Sequence, residues 1–263
     1  MCSIDDPQVP RYTSRMTGTW DFLPSPAADA ATNMAVDEAL LRTAAGRGRP
    51  LLRVYSWEKP AVSFGYFQKF PAHLADKHEI VRRPTGGGLV YHGDGVDTTY
   101  TVIVPPDHRL YTISTTDAYC TIHKAIAAAL EHGAVVGRVP SRGAALVSRS
   151  PAGGSGPTTA TIPTLHKAQG ASPHGSYECF QNPVHGDVMA DGRKLAGAAQ
   201  RRTKWGLLHQ GSIAASVTAE SLRRGFNKIL AVEFERYKHS ASERTLAENL
   251  AREKYATDAW NRR

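Results

Sequence analysis

The sequence lacks any long apolar run. No stretch approaches the roughly 18 continuous apolar residues that a membrane-spanning helix needs. The first twenty residues also lack the apolar segment that a secretory signal peptide carries. We therefore expect a soluble protein with a cytoplasmic location and no membrane partner.

Cysteine is scarce, with Cys2, Cys120 and Cys179 the three in 263 residues. These are too few and too scattered for a disulfide framework or a zinc ribbon, so any interest they hold is as free thiols. The eleven histidines show no His-Glu-x-x-His and no clustered spacing, and we predict no metal. The phosphate loop Gly-x-x-x-x-Gly-Lys-Ser/Thr is also absent, which argues against ATP binding of that type.

Positive charge is in excess, since 32 Lys and Arg face 24 Asp and Glu, for a formal charge of +8. Such a balance favours an anionic partner, whether nucleic acid, a phosphorylated cofactor or an acidic protein. The sequence shows no aromatic-and-basic repeat and no known recognition motif, so we predict no nucleic-acid partner. The length allows one large domain or two small ones.

Strands in the middle of the sequence, with helices before and after them, predict an α+β fold whose β-sheet is mainly antiparallel or mixed. An Asp-Gly pair at 191–192 predicts a tight hairpin turn. The predicted helices cover 26–42 and 113–132, with two or three more in 219–255, and the predicted strands cover 51–57, 61–65, 80–83, 89–92, 98–104, 187–190, 194–200 and 207–214.

Two stretches show little periodicity. Residues 1–19 are predicted to form an irregular N-terminal tail, and 20–263 a single domain. Within that domain, residues from about 139 to 177 are rich in Pro, Gly, Ser, Thr and Ala, and we predict a long mobile loop there.

Three consecutive glycines, Gly86, Gly87 and Gly88, follow Arg82 and Arg83 closely at the end of a predicted strand. Glycines in such a place suit a ligand that approaches the main chain and takes hydrogen bonds from its amides. The two arginines can hold a phosphate or a carboxylate. A plain turn explains the same composition.

Lys194 comes directly after the predicted hairpin turn and precedes a run of small residues that includes Gly197 and Ala198. Small residues leave room for a ligand against the sheet, and a lysine beside an apolar slot can act as a base or a polar anchor. The alternative is a solvated hairpin lysine.

The remaining candidate site residues are Cys179 and two histidines. A lone cysteine is either a nucleophile or a small buried hydrophobe, and Cys120, on a predicted helix, fits the second description. His92 and His209 follow strand-like runs and either border the site or are structural.

Taken together, these segments resemble the biotin/lipoate protein ligase superfamily, in its lipoate ligase and octanoyltransferase branch. The resemblance runs from about residue 20 to the end of the sequence, in the family's order. The matching stretches are 33–38, 53–57, 63–68, 82–88 with His92, 192–200, 208–212 and 253–260.

The resemblance implies an α+β fold with a central mixed, mainly antiparallel β-sheet flanked by helices. It also implies a site. The arginine and glycine segment lies over a tunnel for an eight-carbon acyl chain, and Lys194 matches the family's invariant lysine beside the acyl carbonyl. Cys179 and the four residues after it match the context of the nucleophilic cysteine in one class of octanoyltransferases. The implied catalytic residues are thus Cys179 and Lys194.

The implied activity is transfer of an octanoyl group from acyl carrier protein to a lysine of a lipoyl domain, with no cofactor. The acceptors are 2-oxoacid dehydrogenase E2 or glycine cleavage H protein, and we expect a monomer. Two alternatives stay open: an ATP-dependent lipoate-protein ligase, which needs ATP and Mg, and an octanoyl amidotransferase between lipoyl proteins. Residues 93–97 depart from the Asp-x-Gly-Asn of many ligases, which weakens the first alternative.

Overall fold

The computed structural model describes residues 18–93, 97–131, 163–165 and 183–263. None of the helices within these ranges is long and apolar enough to cross a membrane. The strands are β1 (Thr19–Pro24), β2 (Leu51–Tyr55), β3 (Ala61–Phe64), β4 (Glu79–Arg82), β5 (Val90–His92), β6 (Thr98–Val104), β7 (Thr164–Leu165), β8 (Val188–Ala190), β9 (Arg193–Thr203), β10 (Gly206–Ile213) and β11 (Glu233–Arg236). The helices are α1 (Ala30–Arg42), α2 (Ala44–Arg47), α3 (Arg109–Thr112), α4 (Thr115–Glu131), α5 (Ala219–Leu230), α6 (Ala241–Leu250) and α7 (Asp258–Asn261), with a 3₁₀ turn at Ala72–Leu74 and a π turn at Ala251–Tyr255.

Two sheets form the frame. The larger has eight strands in the order β11-β1-β2-β6-β10-β9-β8-β7, and the smaller has three in the order β4-β3-β5. In the larger sheet β1 is parallel to both of its neighbours and the remaining pairs are antiparallel. The predicted α+β class with a mixed, mainly antiparallel sheet is confirmed.

The middle of the large sheet is buried on both faces, because helices cover each of them. Side chains alternate between the faces of a strand. On β6, Val102 and Val104 therefore join the core cluster beneath α4 and α5, whereas Ile103 joins the cluster beneath α1. This double burial explains why every residue of β6 and of β10 is buried.

Helix α1 begins later than the sequence predicted. Asp29 caps it, accepting a hydrogen bond from the Thr32 amide at 2.8 Å, so residues 26–28 lie outside the helix. A side-chain acceptor at this position satisfies an amide that has no partner within the helix. The prediction of α4 was correct to within two residues at its start.

Two strands correct the predictions for the chain's ends. Residues 1–17 lie outside the described ranges, but Thr19, which was assigned to the irregular tail, begins β1. Residues 233–236, predicted as helical, form β11, which pairs in parallel with β1. Glu-Phe-Glu-Arg is a polar edge segment, and only its partner strand makes it extended.

The segment at 139–177, predicted as a mobile loop, lies mostly outside the described residues. Of it the structure describes 163–165, where Thr164–Leu165 forms the short edge strand β7 and pairs with β8. For the rest of the segment the mobile loop stays a prediction.

Candidate active site

A cavity of about 400 Å³, partly open to solvent, lies between the two sheets. This volume includes the solvent at its open mouth. Its lining residues come from α1, both sheets and their connections and are Met34, Tyr55, Trp57, Ser63, Arg83, Gly87, Val90, His92, Thr99, Gly197, Ala198, Ala199, Gln210, Gly211 and Ser212.

Small residues on β9 and β10 form one wall of the cavity. The register sets Gly197 opposite Ser212 and Ala198 opposite Gly211, so four small residues lie side by side. A trough of this kind has room for a narrow ligand along the sheet. The structure thus brings the predicted Gly197 and Ala198 together at the cavity.

Arg83 shapes the glycine segment. One guanidinium nitrogen, Nη2, donates to the carbonyls of Gly86 at 2.9 Å and Gly88 at 2.7 Å, and Nη1 donates to Ser63 Oγ at 2.8 Å. Gly87, between the two carbonyls, has φ of +88°, a conformation that favours glycine. Arg83 and Gly87 line the cavity, whereas Gly86 and Gly88 present their carbonyls to Arg83.

Arg82 has a different place from its neighbour. Its guanidinium is buried and donates to five main-chain carbonyls, and burial lowers its pKa. It does not line the cavity, so the structure does not bring Arg82 together with the other predicted site residues there. The carbonyls that it binds belong to Tyr66, Gln68, Trp260, Asn261 and Arg263.

His92 lines the cavity. Its ring stacks on Trp57 with centroids 4.0 Å apart, and its Nε2 lies 2.7 Å from Ser63 Oγ. Burial lowers the pKa of His92, and Asp97 partly opposes that effect. A neutral imidazole bonded to Ser63 therefore connects the cavity wall to Arg83.

Lys194 is buried, and its Nζ lies 2.8 Å from Oδ2 of Asp187. The alternative of a solvated hairpin lysine is therefore wrong. Its side chain lies over Gly197, because a Cβ added to that glycine would come within 2.2 Å of Lys194 Cε and 2.5 Å of Nζ. Lys194 is thus adjacent to the cavity without being part of its lining.

Asp187 has three donors around it. Besides Lys194, the Tyr119 hydroxyl donates to Oδ1 at 2.5 Å and the Val184 amide to Oδ2 at 2.7 Å. The same Tyr119 hydroxyl accepts from the Ala198 amide at 3.0 Å. Burial and the Asp187 charge raise the pKa of Tyr119, so its hydroxyl remains a donor. Tyr119 therefore joins α4 to the carboxylate and to β9.

His209, predicted to border the site, is buried in the sheet and does not line the cavity. Its ring packs against those of Tyr100, Tyr119 and His123. Burial, with a smaller effect of His123, holds its pKa well below the ordinary value. His209 is thus a neutral packing residue.

The predicted nucleophile Cys179 lies outside the described residues, as does Cys2. The described chain resumes at Pro183, four positions after Cys179 in sequence, and reaches Asp187 through a turn closed by the hydrogen bond from the Asp187 amide to the Val184 carbonyl. Cys120 is buried on α4, as its place on a predicted helix suggested.

Asp187, Tyr119 and Ser63 belong to this site but were not predicted from the sequence. An aspartate at the start of a hairpin is common and gave no signal, and Tyr119 is one residue among many on an ordinary helix. In the described ranges no three His, Cys, Asp or Glu side chains come together in a way that could hold a metal ion. The absence of a metal from the whole chain stays a prediction.

Comparison with known proteins gives consistent relatives. Residues 29–257 match the family described as the lipoyl protein ligase A/B catalytic domain. The chain is 31% identical to octanoyltransferase LipM of Geobacillus kaustophilus, over 92% of this chain and 97% of that protein. It is 34% identical to octanoyltransferase LipM of Oceanobacillus iheyensis, over 79% of this chain and 68% of that protein.

Solved structures share the fold. A putative lipoate protein ligase from T. acidophilum with bound lipoic acid superposes with a TM-score of 0.66 at 22% identity, covering 94% of this chain and 98% of that one. Lipoate-bound LipL1 of P. falciparum superposes with a TM-score of 0.53 at 15% identity, covering 92% and 73%. At these identities the likeness concerns the fold alone.

Proposed function

Because the chain belongs to the lipoyl protein ligase A/B catalytic domain family and is an acyltransferase of its octanoyltransferase branch, we propose that it transfers octanoyl groups from acyl carrier protein to a lysine of a lipoyl-domain protein. The transfer runs through an acyl-enzyme on Cys179. The acceptor is 2-oxoacid dehydrogenase E2 or glycine cleavage H protein, and no cofactor takes part.

The observation that carries this proposal is the position of Lys194. Its ammonium is held by Asp187 and lies over Gly197, which lines a trough of small residues. A straight acyl chain fits such a trough, and burial of each methylene contributes about 0.8 kcal/mol. The acyl carbonyl then lies at the Lys194 end of the trough.

In the first step the Cys179 thiolate attacks the carbonyl of the octanoyl thioester. A new C–S bond forms to Cys179, the C–S bond to the carrier breaks, and the carrier thiolate leaves and takes up the proton that Cys179 gave up. One thioester replaces another, so the step is close to balanced in energy and needs no ATP.

In the second step the acceptor lysine, as a neutral amine, attacks the Cys179 thioester. A C–N bond forms, the C–S bond breaks, and Cys179 leaves as a thiolate that accepts the proton released by the amine. The products are the octanoyl amide and free enzyme.

Lys194 acts in both steps as a cation. Its ion pair with Asp187 at 2.8 Å fixes the ammonium in place, from which it stabilises a thiolate or the oxyanion of the tetrahedral intermediate. A role as the base, which needs a neutral lysine, fits this geometry less well. Main-chain amides of the glycine segment, Gly87 among them, are the further oxyanion donors that we propose.

The test is to incubate the protein with octanoyl acyl carrier protein in the absence of ATP and to measure its intact mass. We expect one octanoyl adduct on the wild type and none on Cys179→Ser. Cys120→Ser is the matched control and keeps the adduct, because Cys120 is a buried residue of α4. Addition of a lipoyl domain discharges the adduct.

Two results would redirect the assignment. No adduct, together with lipoylation that requires ATP and Mg, would identify a lipoate-protein ligase. An adduct that forms from octanoylated H protein but not from the acyl carrier would identify an amidotransferase between lipoyl proteins.

A further inference from the structure

Phe67 is the most exposed large apolar side chain of the described residues, at 91%, followed by Val184 at 53% and Ile229 at 39%. It lies in the turn between β3 and the 3₁₀ helix, next to Tyr66. An aromatic ring that is exposed to water contributes no burial free energy to folding. Large exposed apolar groups often mark interaction sites.

The turn that carries Phe67 is firmly held. Arg82 Nη1 donates to the carbonyls of Tyr66 and Gln68, one on each side of Phe67, both at 2.7 Å. The Tyr66 amide donates to the Thr85 carbonyl at 2.8 Å, which ties the turn to the glycine segment. Phe67 is therefore presented by a fixed backbone, which reduces the entropy lost on binding.

Cations lie over the ring of the neighbouring Tyr66. Arg201 and Arg263 lie over the Tyr66 ring, with Cζ 5.0 Å and 4.0 Å from its centroid, and Lys69 is exposed two residues after Phe67. A hydrogen bond from Arg263 and the charge of Arg201 lower the pKa of Tyr66. Within the described parts of the chain, no carboxylate side chain pairs with Lys69, Arg201 or Arg263.

The neighbouring cations differ in this respect. Lys254 pairs with Glu38 at 2.6 Å and Arg262 pairs with Asp258 at 3.0 Å. The surface around Phe67 thus carries three positive charges that the described acidic side chains do not balance. It suits an acidic partner that also offers an apolar contact.

We propose that this Phe67 patch, formed by Tyr66, Phe67, Lys69, Arg201 and Arg263, is where the acidic acceptor lipoyl domain docks. The inference rests on the proposed function and extends it by assigning a surface to one of the two protein substrates. Phe67 is the anchor, and the cations steer the domain and fix its orientation.

The distance that each protein substrate can bridge favours the acceptor lipoyl domain over the acyl carrier protein as the occupant of this patch. The acceptor lysine has only a four-carbon stem, so its domain must sit at the rim of the cavity. The patch meets that rim, because Arg201 donates to the Pro84 carbonyl at 2.9 Å and the Tyr66 amide donates to the carbonyl of Thr85, two residues before the cavity-lining Gly87. A carrier protein presents its acyl group on a long, flexible prosthetic arm and is not restricted in this way.

The experiment separates the two half-reactions. Cys179 is first acylated with octanoyl acyl carrier protein, and the isolated acyl-enzyme is then mixed with increasing concentrations of the lipoyl domain of a 2-oxoacid dehydrogenase E2. We expect Phe67→Ala to raise the half-saturating concentration of lipoyl domain about 5- to 30-fold, as for a residue at an interface centre. The acylation rate stays within about twofold.

Matched variants sharpen the result. Ile229→Ala removes an exposed aliphatic side chain on α5 and leaves both half-reactions unchanged, and Phe67→Leu restores most of the affinity. Lys69→Glu weakens binding of the lipoyl domain and reduces the salt dependence of the transfer rate. Discharge of the acyl-enzyme by N-acetyl-lysine amide is the same for all these variants, since a small amine needs no docking surface.

Three outcomes would overturn the inference: unchanged transfer in Phe67→Ala, slower acylation by the carrier instead of slower transfer, or a dimer in sedimentation that Phe67→Ala dissociates. If the wild type forms no acyl-enzyme, the proposed function fails. The patch is then judged by calorimetric titration of the lipoyl domain into wild type and Phe67→Ala, where equal affinities would reject it.

Discussion

The Nζ atom of Lys194 lies 2.8 Å from Oδ2 of Asp187, and both side chains are almost completely buried. The pair connects the turn before β8 to the start of β9. Burial of two charges is costly, and their attraction offsets that cost only where further hydrogen bonds complete the site. Tyr119 and the Val184 amide supply such bonds to Asp187.

Removal of Asp187 is expected to affect stability and activity together. Asp187→Asn leaves the Lys194 ammonium buried without its carboxylate, which typically costs about 3–5 kcal/mol of unfolding free energy. Octanoyl transfer falls as well, because Lys194 loses the group that orients it. Urea unfolding and single-turnover acylation measure the two effects.

The double variant Asp187→Asn with Lys194→Met distinguishes the two losses. Replacement of both charges by uncharged groups is often close to neutral for stability, so we expect the unfolding free energy to recover to within about 1.5 kcal/mol of wild type. Activity does not return. If the double variant instead loses as much unfolding free energy as Asp187→Asn and Lys194→Met lose together when measured singly, the two residues are not energetically coupled.

Gly197→Ala is expected to slow acylation about 100-fold. A Cβ at this position meets Lys194 at 2.2 Å from Cε, so the lysine must leave its place over the cavity wall. A displacement of about 1 Å in a catalytic group can cost about 100-fold in rate. The acylation rate with octanoyl acyl carrier protein is the measurement.

Gly46→Ala is the control for that substitution. Nothing lies within 4 Å of a Cβ at Gly46, which is part of α2, so this variant keeps full activity. Equal acylation rates for Gly197→Ala and wild type would show that Lys194 does not act from its position over Gly197.

Stability is expected to fall in mild acid because of His123. Burial lowers the pKa of His123 to about 4, below its ordinary value of 6.5. Between these values the unfolded chain binds a proton that the folded chain does not, so folding free energy is lost as pH falls from about 6.5 to 4. The loss amounts to about 3 kcal/mol.

Urea unfolding across this pH range, with an NMR titration of the His123 ring, measures the effect. In the folded protein the ring stays neutral through pH 5. His73→Gln, a change at an exposed side chain, leaves the pH dependence as it is in wild type. An NMR midpoint near 6.5 would contradict the assignment of His123 as a buried neutral residue.

The central elements of the fold were predictable because their sequences are decisive by themselves. β6 consists entirely of β-branched and aromatic residues, which favour strands, and α4 has an apolar face that repeats every four residues. β11 was missed because its four residues are mostly charged and exposed. Its extended form comes from pairing with β1, more than two hundred positions away in sequence.

The site was predictable where composition marks it and not where a distant contact makes it. Glycines and alanines after Lys194 indicated a trough and thus the lysine's importance. The position of the Asp187 carboxylate depends on a hydrogen bond from Tyr119, which is 68 positions away on α4. No local sequence pattern predicts that contact. His209 was assigned to the site because a strand's sequence does not say which face meets a ligand.

The adjacent residues Arg82 and Arg83 provide the last prediction. The Arg83 guanidinium bridges Ser63 Oγ and two glycine carbonyls, which the single ammonium of a lysine at this position cannot do. Arg83→Lys should therefore loosen the glycine segment and slow acylation about 10- to 100-fold. Arg82→Lys instead loses most of the bonds to carbonyls near the C-terminus, at a cost of about 3 kcal/mol, or roughly 6 °C or more in Tm.

Acylation by Arg82→Lys, measured well below its Tm, stays within a few-fold of wild type, because Arg82 does not touch the cavity. The two substitutions thus form a matched pair: the same chemical change at consecutive positions, read by single-turnover acylation and by thermal unfolding. If both variants lose acylation rate and Tm to the same extent, it is wrong that Arg83 orders the glycine segment while Arg82 holds the C-terminal segment. If Arg83→Lys alone loses rate, the order of the glycine segment is what acyl transfer requires.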